Sequence, residues 1–234
     1  MKNNEIGGKA KSLPAGIKAA LIDMDGVLYD SMPFHARAWH NLFSQLGVDS
    51  NPDEYYLYEG MRGSDTIGMI LKRELDLDTT EEERNALYAK KADLFRNCGE
   101  AKTMPGASAM LDALRDAGLN TVLVTGSAQG SLLDKIETDY PGFFPKERRV
   151  TAFDVTNGKP HPEPYLRGLE KAGVKAEEAI VIENAPLGVR AGKAAGCFTI
   201  AVTTGPIPPE AFEKEGADMI FPDMPSFASW LKNI

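Results

Sequence analysis

Two carboxylates stand two residues apart at Asp23 and Asp25, directly after the short apolar run Ala19–Ile22. Side chains two residues apart in an extended segment point the same way. Such a pair can hold a hard divalent cation, with one carboxylate acting as a nucleophile and the other moving protons. A solvated acidic turn is the alternative interpretation. An EF-hand is excluded, because the sixth loop position is Leu28 rather than glycine.

Two further groups along the chain are suited to bind a phosphate. Thr125 offers a hydroxyl after the apolar run 122–124, and Gly126 and Ser127 offer backbone N–H groups where a helix is predicted to begin. Such N–H groups receive anionic phosphate oxygens. Lys159 lies between a glycine and a proline, where its ammonium can neutralise a phosphate and a nearby carboxylate. Taken singly, these groups also fit an ordinary turn and a surface lysine.

Glu183 and Asn184 are the fourth group, and they follow the apolar run 179–182. A carboxylate next to an amide oxygen suits Mg²⁺ ligation, either directly or through water. Capping of the helix that begins near Pro186 is the alternative role for Asn184. The four groups occur in this order, each at a predicted strand end. Together they form a specific pattern for phosphate and cation chemistry.

The elements that must position these groups alternate between strand and helix. The apolar runs 19–22, 122–124, 179–182 and 198–202 each end in polar residues or glycine, as is typical of buried parallel strands. The helical segments between them are each followed by a glycine, at Gly118, Gly173 and Gly196. The alternation predicts an α/β fold, a doubly wound parallel-sheet core of the Rossmann-like type, whose functional groups collect at the carboxyl ends of the strands.

Residues 30–103 do not follow this alternation. They contain three helical patterns, and the third starts with Thr80 and Glu83, a pair typical of a capping box. We predict a helical insertion over residues 30–103 that serves as a substrate-specificity cap. The α/β core then comprises residues 1–29 and 104–234. If the insertion opens and closes, hinges are expected at its two connections to the core.

Composition excludes several classes of protein. Of the 234 residues, 43% are hydrophobic and 26% are charged, so that a packed core can form. The net charge of -8 disfavours a nucleic-acid or anionic membrane partner. Cys98 and Cys197 show no disulfide or metal-ligand spacing, and no segment is apolar enough for a signal peptide or a membrane span. We expect a cytoplasmic monomer.

These motifs resemble those of the haloacid dehalogenase superfamily of phosphotransferases, and the resemblance covers nearly the whole chain. The matching motifs are residues 23–27, residues 124–127, Lys159 with its following proline, and Glu183 with Asn184. An insertion directly after the first motif, with His35 and Trp39 on its first helix, is similar to the β-phosphoglucomutase-like branch.

The resemblance implies a role for each carboxylate and for the cation. Asp23 would be the nucleophile that becomes an aspartyl phosphate. Asp25 would protonate the leaving oxygen and then activate water. The implied cofactor, Mg²⁺, would be held by the Asp23 carboxylate, the Asp25 backbone carbonyl, and Glu183 with Asn184.

The phosphoryl group would be held by Thr125, Gly126 and Lys159, with the Ser127 N–H group beside them. Phosphoryl transfer depends mainly on positioning and charge stabilisation, which these groups can supply. We expect Mg²⁺ and Lys159 to lower the pKa of Asp23 and keep it ionised, and Asp25 to remain protonatable.

The insertion departs from the mutase pattern. The arginine with which the mutase grips the distal phosphate aligns with Gly63, although Arg62 is adjacent, and the mutase's lysine after the second motif aligns with Ala128. Lys91 and His35 match a lysine and a histidine of the mutase insertion. We therefore predict His35, Arg62 and Lys91 as substrate contacts.

Glu59 and Asn184 indicate a different substrate. The mutase's fourth motif usually ends in two acids, whereas the second position here is Asn184. Glu59 would repel a distal sugar phosphate, but it suits a small substrate that brings its own Mg²⁺. Glu59 together with Asn184 resembles members associated with inorganic pyrophosphate hydrolysis. The leading hypothesis is a Mg²⁺-dependent phosphohydrolase for a small phosphorylated substrate, with pyrophosphate favoured.

Two alternatives stay open. A β-phosphoglucomutase, converting β-glucose 1-phosphate to glucose 6-phosphate, or a sugar phosphatase would also explain the motifs and His35. A non-catalytic phosphate- or cation-binding module belongs to a different class of protein. Binding alone, however, does not require both Asp23 and Asp25.

Overall fold

The structure is a computed structural model that describes residues 7–127 and 130–233. Residues 1–6 of the predicted core lie outside these ranges, as does Ala128, one of the predicted departures from the mutase. Within the described ranges, no helix is both long enough and apolar enough to span a bilayer.

The described core contains a six-stranded sheet in which every neighbouring pair of strands is parallel. The strands are β1 (Ala19–Ile22), β2 (Asn120–Val124), β3 (Arg149–Val150), β4 (Ala179–Glu183), β5 (Phe198–Val202) and β6 (Met219–Phe221). Their order across the sheet is β3-β2-β1-β4-β5-β6. Leu21 of β1 lies beside Val122 of β2 and Val181 of β4, so these central strands end level with one another.

Between β1 and the next core helix, the chain forms only helices and loops with isolated bridges. The helices are α1 (Met32–Gln45), a 3-10 helix (Pro52–Tyr58), α2 (Gly63–Leu75) and α3 (Glu81–Arg96). Thr80 and Glu83 form the predicted capping box at the start of α3. The side chains of Phe43, Tyr55 and Ile70 belong to an apolar cluster within this segment. The helical insertion thus has its own small core.

The two connections of the insertion lie side by side. The Asp30 N–H donates to the Lys102 carbonyl at 2.9 Å, and the Met104 N–H donates to the Leu28 carbonyl at 2.8 Å. Both predicted hinge segments therefore belong to one hydrogen-bonded pair of chain segments.

Helices cover both faces of the sheet. They are α4 (Ala107–Asp116), α5 (Gly130–Asp139), α6 (Glu163–Ala172), α7 (Pro186–Ala194), α8 (Pro209–Lys214) and α9 (Met224–Leu231). Ala20 and Ile22 of β1 pack in the cluster that includes residues of α4, α5 and α9, whereas Ala19 and Leu21 pack in the cluster with residues of α6 and α7. Burial of alternate side chains on opposite faces confirms the predicted doubly wound core.

Candidate active site

The two aspartates leave β1 in a buried tight turn. Asp23 is 3% exposed and Asp25 is 6% exposed. Gly26 of this turn has a φ of 81°, a left-handed conformation that favours glycine. A Cβ atom on Gly26 would lie 1.9 Å from the Asn184 side-chain nitrogen. Glycine at this position therefore lets Asn184 approach the turn that carries both aspartates.

Lys159 lies at the centre of the charged groups. Its buried ammonium donates to Asp23 Oδ1, lies 2.6 Å from Glu183 Oε1, and donates to the Val124 carbonyl at 3.2 Å. Burial lowers the pKa of Lys159, but the Asp23 and Glu183 charges outweigh this effect and raise it. Lys159 therefore stays charged at neutral pH and links the ends of β1, β2 and β4.

The pKa of Asp23 is raised, whereas a lowered pKa was expected from the sequence. Burial, together with the nearby carboxylates of Glu183 and Asp25, raises it to about 8 despite the Lys159 charge. The effect of Lys159 has the predicted sign, but it does not offset burial. An ionised Asp23 at pH 7 therefore requires a further positive charge beside it.

Glu183 is held by four protein donors. Its Oε1 accepts a hydrogen bond from the Tyr165 hydroxyl at 2.6 Å and faces the Lys159 ammonium. Its Oε2 accepts from the backbone N–H groups of Asn184 at 3.0 Å and Ala185 at 3.3 Å. Tyr165 was not predicted from the sequence, where it stands as an ordinary apolar-face position of α6.

Asp25 begins a buried hydrogen-bonded chain into the insertion. The Ser31 hydroxyl donates to Asp25 Oδ1 at 2.5 Å, and His35 Nε2 lies 3.1 Å from the same oxygen. Lys91 Nζ lies 2.5 Å from His35 Nδ1. Because an ammonium only donates, His35 Nδ1 accepts from Lys91 and Nε2 carries the proton toward Asp25. Burial and the Lys91 charge lower the pKa of His35, which favours this neutral form.

The pKa of Asp25 is lowered, contrary to the expectation. Burial raises it, but the interaction with His35, the Ser31 hydrogen bond and the Lys91 charge outweigh burial. Asp25 is therefore ionised at neutral pH in this arrangement. A proton for Asp25 has to arrive along the chain from His35 and Lys91, or from a bound molecule.

Lys91 gives the first testable prediction, on stability. Burial lowers its pKa to about 7, against an ordinary value of 10.5. Between pH 7 and about 10 the unfolded chain thus binds more protons at this residue, so stability rises with pH. From pH 7 to pH 9 we expect Lys91 to raise the free energy of unfolding by about 2 kcal/mol, because the largest possible gain is about 1.4 kcal/mol per pH unit.

In the Lys91→Met variant this pH-dependent gain is expected to disappear. Urea unfolding at pH 7 and pH 9 measures it, and Lys90→Met, which removes an exposed lysine next to it, is the matched control. An equal gain in wild type and Lys91→Met would show that Lys91 keeps an ordinary pKa.

The predicted phosphate turn ends β2. The Thr125 hydroxyl accepts from the Ser127 N–H at 3.0 Å, and the Thr125 N–H donates to the Val150 carbonyl at 2.9 Å. Thr125, Gly126 and Ser127 all line the cleft that Asp23 faces. The structure therefore brings this turn and the aspartates to one site, which agrees with their expected positions at the carboxyl ends of neighbouring strands.

Glu59 and Asn184 meet across the insertion and the core. Asn184 Nδ2 donates to Glu59 Oε2 at 3.1 Å. Within the described residues, Glu59 Oε1 and Asn184 Oδ1 are buried oxygens without a hydrogen-bond partner. Burial, followed by the charges of Asp23 and Asp25, raises the pKa of Glu59 well above its ordinary value.

Arg62 lies outside this group. Its Nη1 donates to the Thr156 carbonyl at 2.7 Å, and its Nη2 lies 3.5 Å from Glu81 Oε1. The neighbouring Met61 and Gly63 line the cleft, but Arg62 does not. The structure thus does not bring the predicted contact at Arg62 to the site, because the guanidinium is directed toward a core loop.

The cleft is narrow and lies between the insertion and the core. Its volume is about 50 Å³, room for only a few waters, since one water needs about 10–15 Å³ on this measure. The core side includes Asp23, Asp25, Thr125, Gly126 and Ser127, and the insertion side includes Met32, His35, Trp39, Tyr55, Tyr58, Glu59, Met61, Thr66, Tyr88 and Lys91. Trp39 and Tyr55 belong to the apolar cluster of the insertion and also form part of the cleft wall.

The site residues fit a hard divalent cation. In the described parts of the chain, no three His, Cys, Asp or Glu side chains form a ready metal cluster. Glu59 and Asn184 nevertheless each keep a buried oxygen without a partner in the part of the chain that the structure describes, and Glu59 lines the same cleft as Asp23. Buried polar atoms without partners are unfavourable. Carboxylate and amide oxygens are the donors that Mg²⁺ prefers. A cation here would also supply the positive charge that Asp23 requires.

Comparisons with known proteins agree with this geometry. A family model described as haloacid dehalogenase-like hydrolase matches residues 17–196. Hexitol phosphatase A of Escherichia coli is 33% identical over 186 residues, covering 79% of this chain and 82% of the relative. Beta-phosphoglucomutase of Mycobacterium bovis is 28% identical and covers 94% and 95% of the two chains.

A solved structure is also similar to this chain. A Bacteroides vulgatus protein, provisionally named a beta-phosphoglucomutase, is 48% identical with a TM-score of 0.87. The match covers 93% of this chain and 89% of that one.

A parallel sheet with these polar strand ends and a helical insertion after β1 defines a phosphoryl-transfer fold. The chain belongs to the haloacid dehalogenase-like hydrolase family. Within that family it lies in the β-phosphoglucomutase-like branch and is a phosphatase or phosphomutase.

Proposed function

We propose that this protein is a Mg²⁺-dependent phosphohydrolase that works through an aspartyl phosphate at Asp23, with inorganic pyrophosphate as the favoured substrate. The observation that carries the proposal is the contact with Asn184 of Glu59, which lines a cleft of about 50 Å³. An acid at this position and so little space disfavour a substrate with a distal sugar phosphate. Pyrophosphate is small and arrives bound to Mg²⁺.

The first half of the reaction transfers a phosphoryl group to the protein. A carboxylate oxygen of Asp23 attacks the phosphorus, the bond from phosphorus to the bridging oxygen breaks, and Asp25 gives its proton to the leaving oxygen. Lys91 can supply that proton through His35, because the Lys91–His35–Asp25 chain is continuous. Lys159 and the N–H groups of the Thr125 turn stabilise the negative charge on the transferring group.

The second half releases inorganic phosphate. Ionised Asp25 takes a proton from a water molecule, the water oxygen attacks the phosphorus, and the Asp23–phosphorus bond breaks to restore the carboxylate. Asp23, Asn184 and the Asp25 carbonyl would hold Mg²⁺, and Glu59 reaches the same place from the insertion. When bound, the cation neutralises charge on the phosphoryl oxygens and lowers the pKa of Asp23. Glu183, occupied by four protein donors, would position Lys159 and Asn184 rather than bind strongly to the cation.

The residues of the insertion also favour a second candidate, a β-phosphoglucomutase. His35 and Lys91 keep the positions expected for that branch, and the mutase of Mycobacterium bovis matches nearly the whole chain. Sugar phosphate phosphatases are a further option, since hexitol phosphatase A is among the relatives. These relatives support phosphoryl transfer and are not pyrophosphatases, so substrate choice rests on Glu59 and Asn184.

The test measures phosphate release from pyrophosphate, β-glucose 1-phosphate and a panel of hexitol and hexose phosphates, with Mg²⁺ and after chelation. We expect the highest kcat/KM for pyrophosphate. We also expect Glu59→Gln to lower that value at least about tenfold, while turnover of sugar phosphates is unchanged or higher. The reason is that a carboxylate at position 59 attracts the Mg²⁺ bound to pyrophosphate, whereas a neutral amide does not.

Glu82→Gln is the matched control, because Glu82 is an exposed acid of the insertion, in the first turn of α3, and does not line the cleft. A coupled assay for glucose 6-phosphate is run in parallel. Formation of glucose 6-phosphate faster than phosphate release would favour the mutase. Equal loss on all substrates in Glu59→Gln would contradict the role of Glu59 in selectivity.

A further inference from the structure

Arg62 joins the insertion to the core through contacts that the proposed function does not use. This residue precedes α2, and its guanidinium reaches across to the Thr156 carbonyl at 2.7 Å. The same guanidinium is 3.5 Å from Glu81 at the start of α3. One side chain therefore ties two helices of the insertion to one loop of the core.

The loop that receives Arg62 is held in place by Glu163. The carboxylate of Glu163 accepts hydrogen bonds from the Thr156 and Asn157 backbone N–H groups, both at 2.9 Å, and from the Asn157 side chain at 2.9 Å. The N–H groups of the loop are thus turned toward α6. The Thr156 carbonyl is left to accept the guanidinium, so the loop offers Arg62 a fixed acceptor.

The loop also has the shape needed for close approach. A Cβ atom on Gly158 would lie 2.8 Å from the Arg62 backbone nitrogen and 2.9 Å from Arg62 Cγ. Gly60 lies just as close to Lys159, since a Cβ there would be 2.5 Å from Lys159 Cδ. Residues 60–62 of the insertion therefore lie directly on the loop that ends in Lys159.

We propose that Arg62 is a positioning residue that holds the insertion closed over the cleft through its hydrogen bond to the Thr156 carbonyl. Closure places Glu59, Met61 and Tyr58 over Asp23 and excludes water. Gly158 also contributes to closure, because any side chain at this position would push residues 60–62 of the insertion away from the core loop. The inference goes beyond the proposed function and needs only that the insertion covers the site, whichever phosphate is the substrate.

The expected kinetic effect separates this role from a substrate contact. Loss of a charge-assisted hydrogen bond shifts the open–closed equilibrium toward the open form, so that substrate binding weakens. For Arg62→Ala we expect KM to rise about tenfold on the fastest substrate of the panel, with kcat changed less than about threefold. Arg62→Lys keeps a donor and is expected to recover part of the loss.

A measurement without substrate tests closure itself. The chain contains two tryptophans, and in a Trp230→Phe background Trp39, which lines the cleft and is 8% exposed, is the only one. Acrylamide quenching of Trp39 fluorescence then reports how often the cleft opens. We expect quenching at least twofold stronger in Arg62→Ala and in Gly158→Ala than in the parent protein.

Arg96→Ala is the matched control, because Arg96 also lies in the insertion but pairs with Asp93 of the same helix. Unchanged quenching in both Arg62→Ala and Gly158→Ala would overturn the proposal. So would a large fall in kcat at unchanged KM, which would make Arg62 a contact of the transition state. The quenching result does not depend on the substrate, so failure of the pyrophosphate proposal would leave this test intact.

Discussion

The Asp23→Asn variant is expected to retain less than about 1% of wild-type turnover on every substrate of the panel. A neutral amide is a far weaker nucleophile than a carboxylate, and it cannot form the aspartyl phosphate. The change is almost isosteric, and Asp23 is 3% exposed, so the packing around it has little reason to change. Phosphate release in the presence of Mg²⁺ measures the effect.

A second readout detects the phosphorylated protein directly and tests whether Asp23 carries the phosphoryl group. Wild-type protein mixed with labelled substrate and stopped in acid should carry the label on the protein, whereas Asp23→Asn should not. Asp116→Asn, which changes an exposed acid at the end of α4, is the matched control and should behave as wild type. Residual activity above about 1% would contradict the assignment of Asp23 as the nucleophile. Full activity would indicate that another residue of the cleft is the nucleophile.

Removal of the Lys159 ammonium is expected to affect both stability and turnover. In Lys159→Met, Asp23 and Glu183 are left buried without their common cation. Loss of one partner of a buried ion pair costs about 3–5 kcal/mol of unfolding free energy. Turnover should fall at least about 100-fold, because a preorganised positive charge on the transferring phosphoryl group is also lost.

The stability loss in Lys159→Met should depend on pH in a defined direction. In wild type the pKa of Asp23 is about 8, and without the ammonium it rises further, so the folded forms of the two proteins differ in the charge of Asp23 only above about pH 8. The difference from wild type should therefore be larger at pH 9 than at pH 7. Urea unfolding at both pH values measures it, and Lys146→Met, at an exposed lysine, is the matched control. A difference below about 1 kcal/mol at pH 7 would contradict the buried ion pair.

The Asp25 chain shows why charge states could not be predicted from motifs. A sequence motif identifies Asp25 as an acid, but the neighbours that set its pKa come from α1 and α3, at Ser31, His35 and Lys91. These residues lie up to 66 positions from Asp25 in the chain. Burial, the largest influence on the pKa of Asp23, is likewise a property of the folded molecule.

Most of the sheet was nevertheless predictable. The strands β1, β2, β4 and β5 are buried apolar runs that end in polar residues, and the helices α4, α6 and α7 end at or just before glycines, so local chemistry specifies them. The strands β3 and β6 were missed because they span only two and three residues at the edges of the sheet. Helices α8 and α9 were not predicted either, and for α5 only a start near Ser127 was predicted.

The sequence by itself determined the fold class and the motif residues, because buried strands and helix ends have local patterns and strand ends of a parallel sheet must converge. Only the tertiary structure decided which partners those residues have. It placed Glu59 on Asn184, Tyr165 on Glu183 and Arg62 on the Thr156 carbonyl. These contacts join segments 18 to 125 positions apart, and no local pattern encodes them, because long-range packing alone sets which side chains meet.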